Sequence, residues 1–552
     1  MLLVVGWDGA CWSLLEPLLE AGELPHLSKL MERAARRTLR STVPPVTFPA
    51  WTSFMTAANP GRHGVTDFTL RDGYRLRFAN AADRCLPTLW RLASDAGRRV
   101  GVYAFPATYP AEQLHGIQVC GFDTPLGASG RVRATEPRSL AATLNRRYGT
   151  LAVGGPPQGR IDAGWHRRAL ERLRNGIRDR TRIVVDLLAA ERYDLFAVHY
   201  MEPDTAAHHF WQFCDRASPL YRESDLAGAL ADVYRELDAA LGELLRVAGD
   251  DAHVLLLSDH GSVGTSDRVL CWNRWLAEQG WLAFDERSGG GWAAAVKAAL
   301  TARLPASMQA RLFSLAGAAA GRIEAAARFE GIDWARTAAF SEELNYQPAV
   351  WIHRAGREPL GQVSDEAAPG LADEIAERAL ALRDPVDGEP VVRRVLRPTD
   401  VGDGSYVDRL PDLLFELRRP DGFAYVARPS RGGREAEFFR RLRDDERGGE
   451  KGTVMSGAHR AEGIGVVAGP GVRPGDYGDA DLPSAGATAL ALVGLAPTAA
   501  MDGVAWSDAV EFAPALESAN GDGSATVAGP RPYDDAESRD VAERLRALGY
   551  LD

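Results

Sequence analysis

Short apolar runs in this chain repeatedly stop at an aspartate or a histidine, a habit that few folds accommodate. Asp8 closes Leu2-Leu3-Val4-Val5-Gly6-Trp7, and Asp259-His260 closes the run from Ala252 to Ser258. Asp204 and His208 follow Leu195-Phe196-Ala197-Val198, and His459 precedes Gly463-Ile464-Gly465-Val466-Val467. Runs this continuous suit strands buried on both faces, as in a parallel sheet. In an open α/β sheet, ligands collect outside the carboxyl ends of parallel strands, where residues distant in sequence converge.

The intervening segments fit that architecture. Helix-like patterns at residues 24–37, 88–96, 163–190 and 226–248 alternate with strand-like runs at 2–5, 100–104, 195–198 and 254–257. Such alternation predicts an α/β core, its mostly parallel sheet covered by helices on both faces. The pattern changes between about 289 and 451, with Ala-rich helices, a strand-like stretch at 349–353 and Pro- and Gly-punctuated segments. Residues 431–452 read as a solvated loop and helix, after which the strand at 464–468 resumes the earlier style. The expected organisation is a first core part at 1–285, an inserted cap at 286–450, a second core part at 451–515, and a linker with a C-terminal helix at 516–552. Leu545, Leu548 and Tyr550 are available to dock that last helix. No internal repeat is visible.

Composition narrows the partners. The formal charge of -11 over 552 residues argues against a nucleic-acid polymer or an anionic membrane surface. It leaves room for a small phosphorylated substrate, because metals and arginines can make one pocket locally positive. Lys29, Lys297 and Lys451 are the only lysines among 64 basic residues, a bias of coding more than of chemistry. The five cysteines are widely spaced, with no CxxC pair, which predicts reduced thiols. The N-terminus has neither a basic n-region nor a cleavage site. Lys297, Arg303, Arg311, Arg322 and Glu324 interrupt the Ala-rich stretch at 292–329, so no run reaches the roughly 20 apolar residues of a membrane span. A cytoplasmic protein is expected.

Each candidate ligand has a bland alternative. Asp204 and His208 are four apart and share one face of a helix, where both could reach one ion; an exposed helix start is equally compatible. Asp259-His260 can serve one ion if the chain turns sharply, as Gly261 permits; a buried hydrogen-bonded pair is the alternative. Asp8-Gly9 alone reads as a turn, and His459 alone as a structural histidine. Together, four strand ends each presenting acid or imidazole point to divalent metals, with zinc the default and manganese tolerated. Thr47 follows the extended Pro44-Pro45-Val46, and Pro49 suits a first helical turn. A helix N-terminus there would attract phosphate, and a metal would favour the threonine alkoxide. Capping is the commoner role for a threonine so placed. Thr52, Ser53 and Thr56 read as packing or back-bonding residues.

Several segments carry a resemblance. Gly6-Trp7-Asp8-Gly9, Thr47-Phe48-Pro49-Ala50-Trp51-Thr52, Asn59-Pro60-Gly61-Arg62-His63-Gly64, Ser258-Asp259-His260-Gly261 and Gly457-Ala458-His459-Arg460 resemble the alkaline phosphatase superfamily. They are most similar to its type I phosphodiesterase/nucleotide pyrophosphatase branch and to prokaryotic phosphohydrolase/phosphomutases. Pro106 to Pro110, Gly121 to Pro125, Gly356-Arg357-Glu358-Pro359 and Arg546 to Leu551 are similar to the prokaryotic group. The resemblance implies an alkaline-phosphatase-like three-layer αβα core with an inserted cap. It further implies that Asp8, Thr47, Asp259 and His260 hold one metal, and Asp204, His208 and His459 another. Thr47 would attack phosphorus in line, giving a phosphothreonine that water then hydrolyses. The asparagine that many nucleotide pyrophosphatases carry after the nucleophile is not placed here, which leaves a nucleotide substrate unsupported. A metal-dependent phosphoric ester hydrolase is therefore expected. A phosphomutase with the same site and a non-catalytic metal-binding protein are the alternatives. Tyr109, Arg357 and Glu358 are available for substrate contact or for structural salt bridges.

Overall fold

The computed structural model describes residues 1–125, 134–149, 164–285, 328–344, 346, 348–430, 433–435, 437–447, 455–513 and 533–548. Eleven of its strands frame the site: β1 (Leu2–Trp7), β2 (Ala34–Arg40), β3 (Val100–Tyr103), β4 (Gly116–Val119), β5 (Thr135–Glu136), β6 (Leu195–Tyr200), β7 (His253–Leu257), β8 (Gly261–Leu270), β9 (Gly457–Arg460), β10 (Glu462–Ala468) and β11 (Gly475–Asp481). Nine form one sheet in the order β11-β2-β10-β7-β1-β6-β3-β4-β5. Its centre, β7-β1-β6-β3-β4, is parallel throughout, and β10 and β5 run antiparallel to their neighbours.

Strand β1 is buried along its whole length, and its side chains alternate between two cores. Leu2 and Val4 pack with the helix Thr47–Thr56 (α1), whereas Leu3, Val5 and Trp7 pack with helices Trp165–Ala190 (α2), Glu202–Cys214 (α3) and Ala229–Ala248 (α4). Helices thus cover both faces, giving three layers. In α2 the buried Trp165, Ala169, Leu173, Ile177, Val184 and Leu188 recur at helical spacing, a stripe that meets α4.

One expected helix is corrected. Residues 24–37 split into a helix, Pro25–Met31, and strand β2. Ala34 and Ala35 favour a helix locally, but pairing with β10 on one side and β11 on the other overrides that preference. The region at 431–452 also differs: among its described residues are a strand, Phe439–Arg441, and a short 3₁₀ turn, Asp444–Glu446. Most of the Ala-rich stretch and the whole linker at 518–532 lie outside the described residues.

Strand β8 leaves the main sheet directly after Asp259-His260. It pairs antiparallel with β9, setting Ser262 opposite His459, and farther along it pairs parallel with Ala424–Ala427 and antiparallel with Phe439–Arg441. A separate antiparallel sheet, in the order Ala339–Phe340, Ala349–Ile352, Leu413–Leu417, Val392–Leu396, has its own core around Trp272, Trp275 and Phe340. The helix Asp535–Leu548 returns to the main body, burying Val541, Ala542 and Leu545. Among the described residues no helix is long and apolar enough to cross a membrane. None of the five cysteines is in a disulfide among the described residues.

Candidate metal centre

All seven residues singled out in the sequence meet at the carboxyl ends of β1, β6 and β7. Asp8 follows β1, Asp204 and His208 lie on α3 just after β6, and Asp259-His260 bridges β7 and β8. His459 enters from β9, opposite Ser262. Thr47 opens α1, with the extended Val46 at the N-cap position and no side-chain cap. Its hydroxyl lies 3.4 Å from His260 Nε2, so capping does not account for this threonine.

The three imidazoles share one device. Nδ1 faces a backbone carbonyl in each: Gly457 O at 2.9 Å for His208, Pro45 O at 2.8 Å for His459 and Gly261 O at 3.2 Å for His260. A carbonyl only accepts, so each Nδ1 carries a hydrogen and each ring turns Nε2 into the site, where the neutral form offers a lone pair. His208 Nε2 and His459 Nε2 face each other at 3.0 Å. Two lone pairs at that distance repel unless a proton or a metal ion lies between them.

The spacing of the facing atoms suits metal. Asp204 Oδ2 is 3.4 Å from His208 Nε2, and its Oδ1 is 3.4 Å from His459 Nε2. Around His260 Nε2, Thr47 Oγ1 lies at 3.4 Å, Asp259 Oδ2 at 3.3 Å and Asp8 Oδ1 at 3.6 Å. Zinc–ligand bonds of about 2.0–2.1 Å in a tetrahedron put ligand atoms roughly 3.3–3.4 Å apart. The oxygens involved are buried, and among the described residues no donor hydrogen-bonds Asp8 Oδ1, Asp204 Oδ1, Asp204 Oδ2 or Asp259 Oδ2. Buried carboxylate oxygens without donors are costly, and a cation is the natural complement. Asp204, His208 and His459 form one group able to hold an ion, and Asp8, Asp204 and His260 another, with Asp204 between them.

The electrostatics follow from burial and crowding. Burial and the neighbouring Asp8 and Asp204 push the Asp259 carboxyl well above the usual carboxylate range. Burial disfavours the charged forms of Asp204 and His208, yet their mutual attraction, helped by His459, holds Asp204 well below its ordinary value and lifts His208. Burial and His459, stacked at 3.8 Å between ring centroids, push His260 down to about 4.

Gly9 makes the crowding possible. At φ +67° it occupies the left-handed region, and a Cβ there would stand 3.0 Å from Asp204 Cβ and 2.9 Å from Ser262 Oγ. Two residues with no assigned role in the sequence also reach the site. His199 Nε2 lies 2.8 Å and Trp51 Nε1 3.1 Å from Asp8 Oδ2. The signal for His199 was an imidazole inside the otherwise apolar run of β6; Trp51 stands one helical turn after Thr47. His209 faces away and packs on Trp165 at 4.8 Å. Ser53 meets His63 Nε2 at 2.9 Å, and Thr56 bonds back to Thr52 O at 2.7 Å.

Tyr109, Arg357 and Glu358 have structural partners instead of a place in the centre. Tyr109 donates to Glu537 at 3.1 Å and stacks on Tyr533, so it anchors the returning C-terminal segment. Arg357 pairs with Asp412 and lies over the Trp351 ring, while the buried Glu358 carboxylate takes both Arg357 and Arg71.

Comparison with known proteins agrees with this architecture. The model of the type I phosphodiesterase / nucleotide pyrophosphatase family matches residues 2–435. No curated protein gives a significant match. Among solved structures, phosphonoacetate hydrolase from Sinorhizobium meliloti 1021, in complex with phosphonoacetate, superposes with a TM-score of 0.52 at 15% identity, covering 89% of this chain and 95% of its own. Murine ectonucleotide pyrophosphatase/phosphodiesterase 5, an inactive form in complex with AMP, gives a TM-score of 0.46 at 12% identity, covering 93% and 96%. The chain belongs to the type I phosphodiesterase/nucleotide pyrophosphatase family of phosphoester hydrolases.

Proposed function

We propose that the chain is a two-metal phosphohydrolase that cleaves phosphodiester or other phosphate-ester bonds with Thr47 as nucleophile. One observation carries the reading: three imidazole Nε2 atoms and four donor-free carboxylate oxygens gather in two adjoining groups that share Asp204, and the Thr47 hydroxyl lies 3.4 Å from His260 Nε2 in one of them. Asp8, Thr47, Asp259 and His260 would hold one divalent ion, and Asp204, His208 and His459 the other. Zinc suits this donor set best and manganese fits the same residues. The ions, when bound, supply positive charge that acidifies the threonine hydroxyl and neutralises phosphoryl oxygens.

The chain's own residues do the rest. Thr47 Oγ1 attacks phosphorus and the ester oxygen leaves, giving a phosphothreonine. The first N–H groups of α1 lie beside that oxygen and favour the phosphoryl charge. The hydrogen bonds from Nδ1 to backbone carbonyls keep the three imidazoles oriented, with Nε2 toward the ions. Water then attacks the phosphothreonine and frees Thr47. Residues 286–450 would serve as the cap that recognises the rest of a small phosphorylated substrate. Cysteines outside disulfides fit a reducing, cytoplasmic setting.

The test is turnover of an aryl phosphodiester and an aryl phosphomonoester by wild type and Thr47→Ala, with and without chelator. Expected are activity lost on chelation, restored by zinc or manganese, and absent from Thr47→Ala. Chelator-resistant turnover would overturn the reading. Thr47 is fully buried, and a site closed to water favours transfer back to substrate. A phosphomutase is therefore the second reading, and free phosphate or a released alcohol as sole product would exclude it.

A further inference from the structure

Asp8 is held from behind by two N–H groups. His199 Nε2 and Trp51 Nε1 approach the same oxygen, Oδ2, at 2.8 and 3.1 Å. Facing a carboxylate, His199 Nε2 must carry its hydrogen, and an indole nitrogen can only donate. Oδ2 therefore has two donors, while Oδ1, 3.6 Å from His260 Nε2, has none among the described residues. A carboxylate without such partners could rotate and offer either oxygen, or both.

The two donors are themselves fixed. Trp51 stands edge-on to His199 at 5.0 Å and to Phe105 at 5.2 Å, with all three rings buried. Its indole also lies directly over β1 at Gly6, where a Cβ would come within 2.8 Å of Trp51 Cη2. Trp51 is in α1, one turn beyond Thr47, and His199 is in β6 beside β1, paired across from Gly6. The hydrogen bonds thus tie three elements together at one side chain.

We propose that His199 and Trp51 are positioning residues that lock Asp8 so that Oδ1 alone faces the cation site, coupling that ligand to the helix that carries Thr47. The inference rests on the two-metal reading. It concerns the Asp8 site only, because His208 and His459 take their orientation from the Gly457 and Pro45 carbonyls. His199→Phe keeps a ring in the packing and removes the donor, whereas His199→Gln returns an N–H. Trp51→Phe removes the second donor.

The experiment is a zinc titration against a chromophoric chelator on wild type, His199→Phe, His199→Gln and Trp51→Phe, with the melting temperature of each metal-free protein. Wild type is expected to bind two zinc ions. His199→Phe and Trp51→Phe should each weaken one of them about 10–100-fold and leave the other unchanged, and His199→Gln should restore most of the loss. Wild type with two ions and a His199→Phe protein binding both as tightly would overturn the positioning role and leave the two-metal reading standing. Equal weakening of both sites, or a loss that follows the melting temperature and is not rescued by glutamine, would also overturn it. A wild-type protein that binds no zinc would remove the reading beneath it.

Discussion

Replacing Arg180 by leucine tests how the helix carrying Asp204 is anchored. Arg180 Nη1 donates to Glu202 Oε2 at 2.6 Å, with side chains 4% and 0% exposed. Glu202 is in the first turn of α3, two residues before Asp204. The guanidinium also lies over the Tyr200 ring at 5.4 Å, and among the described residues Glu202 Oε1 has no hydrogen-bond partner. Arg180→Leu therefore strands a buried carboxylate, which costs about 3–5 kcal/mol. Replacing both partners, Arg180→Leu with Glu202→Leu, removes the stranded charge and should recover most of that loss, because buried pairs exchange for apolar groups at near-neutral net cost. The assay is urea unfolding of the two single variants and the double variant, read as a double-mutant cycle. A double variant whose loss equals the sum of the two single losses would refute the reasoning, as would Arg180→Leu within about 1 kcal/mol of wild type on the same scale.

Gly9→Ala should reduce zinc binding more than it reduces overall stability, because the new methyl meets Asp204 Cβ at 3.0 Å in a left-handed turn; parallel titration and thermal melting separate the two effects. Saturating zinc should stabilise the fold by about 4 kcal/mol per site at a thousandfold excess over Kd, and chelator should remove that gain in the same unfolding assay. His63 gives a pH dependence away from the metal ligands. Burial and the nearby Arg84 push it down to about 3, below its unfolded value near 6.5. The unfolded chain therefore binds a proton there that the native chain refuses, so the His63 contribution is intact above pH 6.5 and declines on acidification. The slope is about 1.4 kcal/mol per pH unit down to about pH 3, and unfolding of His63→Gln between pH 6.5 and 4.5 should show a shallower decline than wild type.

Much of the fold was legible because its strands are apolar on both faces and its helices are not. The runs at 2–5, 195–198 and 254–257 need no partner information to read as buried strands. Residues 34–40 were illegible for the opposite reason. Ala34-Ala35-Arg36-Arg37 prefers a helix locally, and only pairing with β10 and β11 decides otherwise. Strand β8 was hidden by its composition: Gly261-Ser262-Val263-Gly264-Thr265 has the character of a loop, yet it is buried and pairs with β9.

The seven candidate ligands were legible one by one, whereas what orients them was not. The hydrogen-bond acceptors that turn His208 and His459 are carbonyls of Gly457 and Pro45, and any residue type supplies a carbonyl. His208 gains its acceptor only because β9 passes close to α3: a Cβ on Gly457 would stand 2.2 Å from Ala207 O. Such outer partners leave no residue signature, but they decide whether an imidazole offers a lone pair or a proton. His199 is the exception, since a lone imidazole in a strand buried on both faces requires a partner. Its neighbour across the ladder is Gly6, and the acid two residues beyond Gly6 is Asp8. A polar residue inside an apolar run is thus informative when the sheet register is known, because the register names the strand end it can serve.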